Sequence, residues 1–496
     1  MNSNFGVISA GSGKTNNPPT PLYNANIFNG NVNVPKLLTG MEPIKFTLPT
    51  NSTKGSFETT TADDENWYSY GTTYETRKWA NAKTADGSMW VWIPRYAYKI
   101  TGTTIDVKFL VEDTGNYYEN GELKSATANG YKIHPAFENG STTGKNNNFA
   151  NGEWDKELTG IWVAKFEAGY AGSYNGTTAV DSTVAYTKNT ANFNGTPTVN
   201  STKIKYPIFK PLTYSMNYIS INDIYSLSKS LTTPGNIYGL SSSTTDSHMM
   251  KNSEWGAVAY LAQSIYGQNG TEITINNANI NNVVNTIYAI TGCTSNTTNN
   301  NATTVTYSDL SALTGNTATN GIYTWDQVSG QNASTTGNMY GIYDLSGGTW
   351  EYNAGFVSNG HSNLATYGKA ILDEAGVTYS GKTVIAKTGA STKYVTRYPY
   401  NSSSDSNTNN WTAYNTAKTA TYGYGDAILE TSTSGSGSNS WNGDYSNFPY
   451  TSFPFFLRGG DCGSTSTAGV FAFDYYSGDA NFITTGGFRV VLVEDV

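Results

Sequence analysis

The segment YGIYDLSGGTWEY, residues 340–352, says more about the fold than any other stretch of this sequence. Four further motifs occur on either side of it. MWVWIP and GIWVAKFE have the apolar and aromatic composition of buried strands. SEWGAVAY carries apolar residues at helical spacing, and the last motif is a pair of Gly-rich, strand-like pieces, LRGG and GGFRVVL. The first three of these motifs lie at residues 89–94, 160–167 and 253–260, and the two pieces of the last one lie at 457–460 and 486–492.

Taken in this order, the motifs resemble the C-type-lectin fold in the version shared by formylglycine-generating enzymes. Residues 340–352 are similar to the strongest signature of that family, Gly-Leu-x-Asp-Met-x-Gly-Asn-Val-Trp-Glu-Trp. The match is discontinuous and extends from about residue 89 to residue 493. The resemblance implies an α+β, loop-rich fold with short strands, two main helices and large Ser/Thr/Asn-rich insertions.

The sequence pattern also predicts the organisation of the chain. Residues 1–40 are polar and Pro/Gly-rich, which is typical of an extended arm for attachment or oligomerisation. Residues 41–88 form a lead-in segment, and residues 89–496 form the C-type-lectin-like domain. We expect a helix at 252–266, capped by Ser253, and a second at 220–231. Surface insertions are expected at 294–304, 401–410 and 431–440, where apolar residues are almost absent.

The residues that the enzymes of this fold require are missing. The resemblance implies that an oxidase would need a copper-binding cysteine pair, but Cys462 stands alone near the C-terminus and Cys293 lies in a polar insertion. The iron-dependent sulfoxide synthases need a histidine cluster, whereas His134, His248 and His361 are far apart in sequence. The calcium motifs of sugar-binding lectins are also absent. We therefore predict no catalytic residue, no metal site and no cofactor.

Composition excludes several other functions. Charged residues make up 13%, the net charge is -8, and Lys and Arg form no run, so nucleic-acid binding is disfavoured. No apolar run is long enough to span a bilayer. The start of the chain lacks the basic and apolar regions of a Sec-type signal. Gly11 to Thr15 ends like a phosphate-binding loop but lacks its first Gly and its helix. Asp63 to Asn66 suggests a solvated turn, with a calcium site as the alternative.

The end of the sequence resembles a more specific class, the variable proteins of diversity-generating retroelements. In these systems an error-prone reverse transcriptase rewrites the end of a gene at adenines. The shared order is Arg-Gly-Gly, then Ala-Gly-Val-Phe-Ala, a variable stretch, and Gly-Phe-Arg. Here these motifs occur at 458–460, 468–472 and 487–489. The resemblance implies a diversified ligand-binding region at 453–493.

The intervening residues agree with that mechanism. An Asn codon with randomised adenines cannot become Lys, Glu, Gln, Met or Trp, and none of these five occurs from 461 to 483. We predict a fixed scaffold and a set of variable, ligand-binding positions. The scaffold comprises Arg458, Gly459, Gly460, Gly487, Phe488 and Arg489, with both arginines acting as braces. The variable positions are Asp461, Cys462, Ser464, Ser466, Asp474, Tyr475, Tyr476, Asp479, Asn481, Phe482 and Ile483.

The predicted face resembles an antibody paratope in composition, since Tyr475, Tyr476 and Phe482 offer large contact area among small polar residues. We expect a non-enzymatic protein that recognises a protein or glycan on a host or target cell. Its expected setting is a phage tail, with the arm attaching it to the virion or forming a homo-oligomer such as a trimer. The alternatives are a bacterial surface or secreted adhesin, a formylglycine-generating-type oxidase and a purely structural virion protein.

Overall fold

A computed structural model of the chain describes residues 32–52, 54–140, 154–170, 206–211, 213–216, 219–276, 322–326, 328–387, 393–417, 425–461, 464–479 and 486–494, with short strand pieces at 198–199, 202–203, 288–290 and 292–293. Over these residues the structure is α+β, with many short strands, few helices and long connections. The predicted α+β class is therefore confirmed.

The larger of two main sheets is antiparallel and seven-stranded. Its central strands bury both faces because their Trp, Val and Ile side chains pack on each side, and the rings of Trp92 and Trp162 lie 5.3 Å apart across neighbouring strands. The lead-in segment supplies three of its strands, so it is part of the folded body. In spatial order the strands are Thr245–Met249, Val490–Glu494, Gly160–Ala164, Met89–Pro94, Asn81–Lys83, Glu42–Thr47 and Ser56–Thr59.

The second main sheet has five strands and carries the C-terminal region. Its spatial order is Thr396–Tyr398, Trp350–Val357, Phe455–Gly459 and Gly469–Tyr476, and Gly486–Phe488 also pairs with Trp350–Val357. The signature at 340–352 therefore leads into the central strand of this sheet. Arg489 lies between Gly486–Phe488 of this sheet and Val490–Glu494 of the larger one, so the chain crosses from one sheet to the other at that residue.

Smaller elements complete the described fold. The other strands are Tyr96–Thr101, Thr104–Phe109, Asn116–Glu119, Glu122–Ser125, Lys132–Ile133, Gly169–Tyr170, Thr198–Val199, Thr202–Lys203, Thr213–Ser215, Tyr288–Ile290, Gly292–Cys293, Ile322–Thr324, Val377–Ser380 and Thr383–Ala386. The α-helices are Ile221–Lys229, Asn252–Gln263, Ser362–Tyr367, Lys369–Glu374 and Asn407–Ala417. Within the described ranges, no helix has the length and apolarity needed to cross a membrane.

Both predicted main helices are present, with small differences at their ends. Ser220 caps Ile221–Lys229 by accepting a hydrogen bond from the Asp223 N–H at 3.1 Å. The cap predicted for the other helix is wrong, because Ser253 lies inside Asn252–Gln263 and Lys251 precedes it. There the Glu254 carboxylate accepts the Lys251 backbone N–H at 2.9 Å, so a residue of the first turn satisfies the helix start.

The predicted insertions differ from one another. Residues 401–410 include the start of the helix Asn407–Ala417, which buries Asn410 and Tyr414. Residues 431–440 also pack against the body, since Thr431 and Ser440 are buried. The insertion at 294–304 lies outside the described residues.

The predicted arm is described only at its end. Residues 32–40 lie against the body, where Asn33 donates to the carbonyls of Glu112 and Thr159 at 2.8 and 3.0 Å. Residues 1–31, including Gly11 to Thr15, lie outside the described part of the chain.

Candidate ligand-binding face

Arg458 braces the strand that opens the C-terminal region. It is fully buried, and its guanidinium donates to the backbone carbonyls of Ala472, Asp426 and Ala427 at 3.0, 2.9 and 3.1 Å. Burial lowers the pKa of Arg458 to about 10. Its three closest partners are backbone carbonyl oxygens rather than a carboxylate. It ties Phe455–Gly459 both to the next strand and to the loop at 426–427.

Arg489 makes the bidentate pair. Its Nε and Nη2 atoms donate to the two carboxylate oxygens of Glu351 at 3.1 and 2.6 Å, and both side chains are buried. The remaining donors reach the carbonyls of Ala164 and Tyr343 at 2.7 and 2.9 Å. Burial raises the pKa of Glu351, and the charge of Arg489 opposes that rise. This residue therefore joins the two main sheets where the chain passes between them.

Asp461 and Ser464 are linked by two hydrogen bonds at the start of the predicted variable region. Ser464 donates to the Asp461 carboxylate at 2.8 Å, and the Asp461 backbone N–H donates back to the Ser464 hydroxyl at 3.1 Å. Gly460 enters this loop with a φ of +77°, and a Cβ there would lie 2.5 Å from Ala468. Ser466 is exposed, and Cys462 lies outside the described residues.

The strand Gly469–Tyr476 changes character along its length. From Gly469 to Phe473 it is buried, whereas Asp474, Tyr475 and Tyr476 are half-buried. The Trp255 indole N–H donates to the Val470 carbonyl at 2.7 Å. Residues 445–447 cover the outer edge of this strand. The Asn447 backbone N–H donates to the Phe473 carbonyl at 2.8 Å, and the Phe473 N–H donates to the Tyr445 carbonyl at 2.9 Å. These contacts hold the strand in place from Gly469 to Phe473. The partly exposed residues of the strand begin at Asp474.

Four half-buried aromatic residues, Tyr450, Phe453, Tyr475 and Tyr476, form a contiguous group that we call the aromatic ledge. The ring of Tyr475 lies 4.9 Å from that of Tyr450 and 5.2 Å from that of Phe453. Phe453 also reaches Tyr476, with ring centroids 6.4 Å apart. Tyr450 and Phe453 exchange two backbone hydrogen bonds across a tight turn, which holds their rings beside the end of the strand.

Asp474 is a carboxylate with incomplete hydrogen bonding next to this ledge. Its Oδ1 atom is buried and has no hydrogen-bond partner among the described residues. Burial raises the pKa of Asp474 to about 7, the Tyr475 backbone and the Asn447 side chain oppose the rise, and the charge of Asp461 adds to it. Asp474 therefore holds its proton far more tightly than an ordinary aspartate, and its charged form lacks a full set of donors.

The strand is followed by a pinned turn. The Gly478 carbonyl accepts the Ile221 backbone N–H at 3.1 Å, which attaches this turn to a helix start. Gly478 has a φ of +89°, and a Cβ there would lie 2.7 Å from the Phe455 ring. Asp479 is half-buried, and its charge helps to raise the pKa of Tyr476, after the larger effect of burial. Asn481, Phe482 and Ile483 lie outside the described residues.

The predicted scaffold residues and the predicted variable positions differ in burial over the described part of the chain. Every predicted scaffold residue is buried, and so are Ala468 to Ala472. The predicted variable positions Asp461, Ser464, Ser466, Asp474, Tyr475, Tyr476 and Asp479 are all half-buried or exposed. Sequence reasoning missed Tyr450, although it lies with Phe453 between Pro449 and Pro454, a pattern typical of a turn that presents aromatic rings.

Two of the histidines are internal. His248 lies between Asp246 and Glu254, at 2.8 and 2.9 Å, and is fully buried. Burial alone would lower the pKa of His248, but Glu254 and Asp246 raise it. His134 is buried among the rings of Tyr96, Tyr98, Phe137 and Tyr260. Across the described ranges, no group of three or more His, Cys, Asp or Glu side chains is arranged to hold a metal ion.

The chain matches none of the protein-family models, and no curated protein is significantly similar to it.

Proposed function

We propose that this chain is a non-enzymatic recognition protein with a C-type-lectin-like fold of the formylglycine-generating type. Its C-terminal face is diversified by a retroelement, and it contacts a molecule on a host surface. We propose a phage tail as its setting, with a bacterial surface or secreted adhesin as the alternative.

One observation carries the proposal: the seven described residues that are predicted to vary are half-buried or exposed, and the residues predicted to be fixed are buried. A face that is rewritten between copies of a gene must change its contacts without unfolding the protein. Substitutions at exposed sites usually change stability by less than about 0.5 kcal/mol, whereas large losses come from core sites. Apart from Asp474, whose Oδ1 atom is buried, the burial pattern supports such a face.

The residue types support the same proposal. Asp, Tyr and Ser codons each arise from an Asn codon by changing one adenine, and they occupy all seven variable positions in the described part of the chain. Tyrosine supplies large contact area with little loss of rotamer freedom, which suits a general binding face. Tyr475 and Tyr476 are supported by Phe453, so the cost of ordering them on binding is reduced.

The DNA around the gene tests diversification. We expect a near-copy of codons 453–493 that differs only at adenines, beside a reverse-transcriptase gene. Neighbouring tail genes would favour the phage setting, and sorting or pilus genes the adhesin. A C-terminal segment that is identical among sister isolates would refute diversification and favour a structural virion protein.

Binding tests the face itself. The triple variant Tyr475→Ala, Tyr476→Ala and Phe482→Ala should lose binding to a panel of bacterial strains, measured by flow cytometry with the labelled full chain. The matched control, Tyr74→Ala with Tyr118→Ala, removes two tyrosines elsewhere and should bind normally. Circular dichroism must show that both variants are folded. Unchanged binding by the folded triple variant would refute the proposed face.

A further inference from the structure

The C-terminal segment that carries the aromatic ledge is acidic. From residue 419 to residue 496 the sequence contains eight acidic residues, no lysine and two arginines, Arg458 and Arg489. Both arginines are fully buried and their donors are used inside the fold. Within this segment, therefore, no basic side chain is available to pair with an anionic ligand.

The ledge combines this charge with aromatic rings. Tyr450, Phe453, Tyr475 and Tyr476 are only partly covered, so parts of their rings contact solvent. An aromatic ring attracts a cation to its negatively polarised face, and Arg and Lys are the usual partners. Asp474 lies on the same strand end, and Asp461 and Asp479 act electrostatically on Asp474 and Tyr476. The rings and the carboxylates therefore both favour a positively charged ligand.

The unpartnered oxygen of Asp474 adds an independent argument. A buried carboxylate oxygen without a donor is unfavourable, and a nearby positive charge relieves that cost through the weakly screened field of a partly buried site. A neutral hydroxyl could donate a hydrogen bond, but it would not compensate the charge, and charge-assisted hydrogen bonds are the stronger kind. An anionic group would be repelled.

We propose that the aromatic ledge recognises a surface protein by a lysine or arginine side chain, which lies over the rings of Tyr475 and its neighbours and is attracted by the charge of Asp474 at the same strand end. The inference rests on the proposed function of this face and specifies its ligand chemistry. It disfavours anionic surface polymers, such as phosphate-rich glycans, as ligands of this copy.

A random 12-residue peptide library displayed on phage tests this inference, because it offers cationic, neutral and acidic side chains to the face at once. The immobilised full chain is the bait, and peptides retained by the folded variant Tyr475→Ala, Tyr476→Ala are subtracted. The remaining peptides should be enriched in Lys and Arg relative to the unselected library. For one such peptide, replacing the key cation by Gln should weaken binding about tenfold, measured by fluorescence anisotropy at physiological salt.

Charge-matched variants separate local recognition from general attraction by an acidic protein. At pH 8.5, where Asp474 is ionised, Asp474→Asn should weaken binding of the selected peptide severalfold, whereas Asp63→Asn removes one charge from an exposed turn elsewhere and should leave binding unchanged. Equal loss in both variants would overturn the inference, because it would show nonspecific attraction.

The remaining outcomes distinguish the two proposals. If the folded double Ala variant binds the panel of bacterial strains as well as the natural chain does, the face does not bind and the proposed function fails. If binding requires the ledge but the selected peptides are neutral or acidic, only the ligand inference fails. Recovery of no ledge-dependent peptide also overturns it, as does a neutral oligosaccharide that binds the ledge while cationic peptides do not.

Discussion

Replacing Arg489 by Met tests whether the buried arginine holds the two main sheets together. Methionine fills much of the volume of the arginine stem but removes four hydrogen bonds, two of them to Glu351. Glu351 then remains buried without a counter-charge, and the carbonyls of Ala164 and Tyr343 lose their donors. Removing one partner of a buried ion pair costs about 3–5 kcal/mol, a large share of the 5–15 kcal/mol typical of a whole protein.

Urea denaturation monitored by tryptophan fluorescence measures this loss, since the chain has 11 Trp residues. The matched control is Lys369→Met, because Lys369 is exposed and its ion pair with Asp373 lies at the surface. We expect that control to change the free energy of unfolding by less than about 0.5 kcal/mol. The double variant Arg489→Met, Glu351→Leu should recover about 2 kcal/mol relative to Arg489→Met, because no unpaired charge remains buried.

The result that refutes this reasoning is specific. If Arg489→Met lowers the free energy of unfolding by less than about 1 kcal/mol, the buried pair is not a brace. If the double variant is less stable than Arg489→Met, with the losses adding as for independent sites, Glu351 and Arg489 are not coupled. Either outcome would remove the physical basis for treating Arg489 as part of the fixed scaffold.

Three further changes probe the face and its support. Because the pKa of Asp474 is raised from 3.8 to about 7, its contribution to stability is fully present below about pH 4 and is lost as the pH rises through 7. The free energy of unfolding of the natural chain should therefore fall between pH 4.5 and pH 8, and in Asp474→Asn this fall should be smaller by about 2–4 kcal/mol. The same fall in both proteins would contradict the burial of this carboxylate. Gly478→Ala should cost about 1–3 kcal/mol by thermal melting, because its φ is positive and the new Cβ meets Phe455; Gly443→Ala, also at positive φ but in open space, should cost less. Trp255→Phe should cost about 1–3 kcal/mol in urea, since the Val470 carbonyl loses its donor, and no loss would show that water replaces the indole.

Local signals were sufficient for parts of the fold. The helix Ile221–Lys229 was predictable because Ser220 caps it through a contact only three residues away. The helix Asn407–Ala417 was not, because its first residues are polar and resemble a loop. Asn410 is buried there because it donates to Asp405 and to the distant Pro449 carbonyl, at 2.6 and 3.0 Å. A polar side chain can be buried when its hydrogen bonds are satisfied, but composition cannot show a partner 39 residues away.

Parts of the candidate site were also predictable from the sequence, and other parts were not. The fixed motifs were predicted from their resemblance to the variable proteins, and the positive φ of Gly460 gives a physical reason for one of them. The support of Tyr475 by Tyr450 could not be predicted, since that contact joins a turn to a strand across 25 residues. The residues around Phe482 remain a prediction from the sequence.

The properties of Asp474 connect stability with recognition. An unmatched buried acceptor destabilises the free protein. Asparagine, one adenine change away, would keep the size of the side chain without placing a charge there. Local rules of this kind are most often broken at functional sites, where binding can offset the cost. We propose that a cationic ligand compensates this carboxylate, and we expect a copy of this face that binds a neutral or anionic ligand to carry a different residue at 474 while keeping Arg458, Gly460 and Arg489.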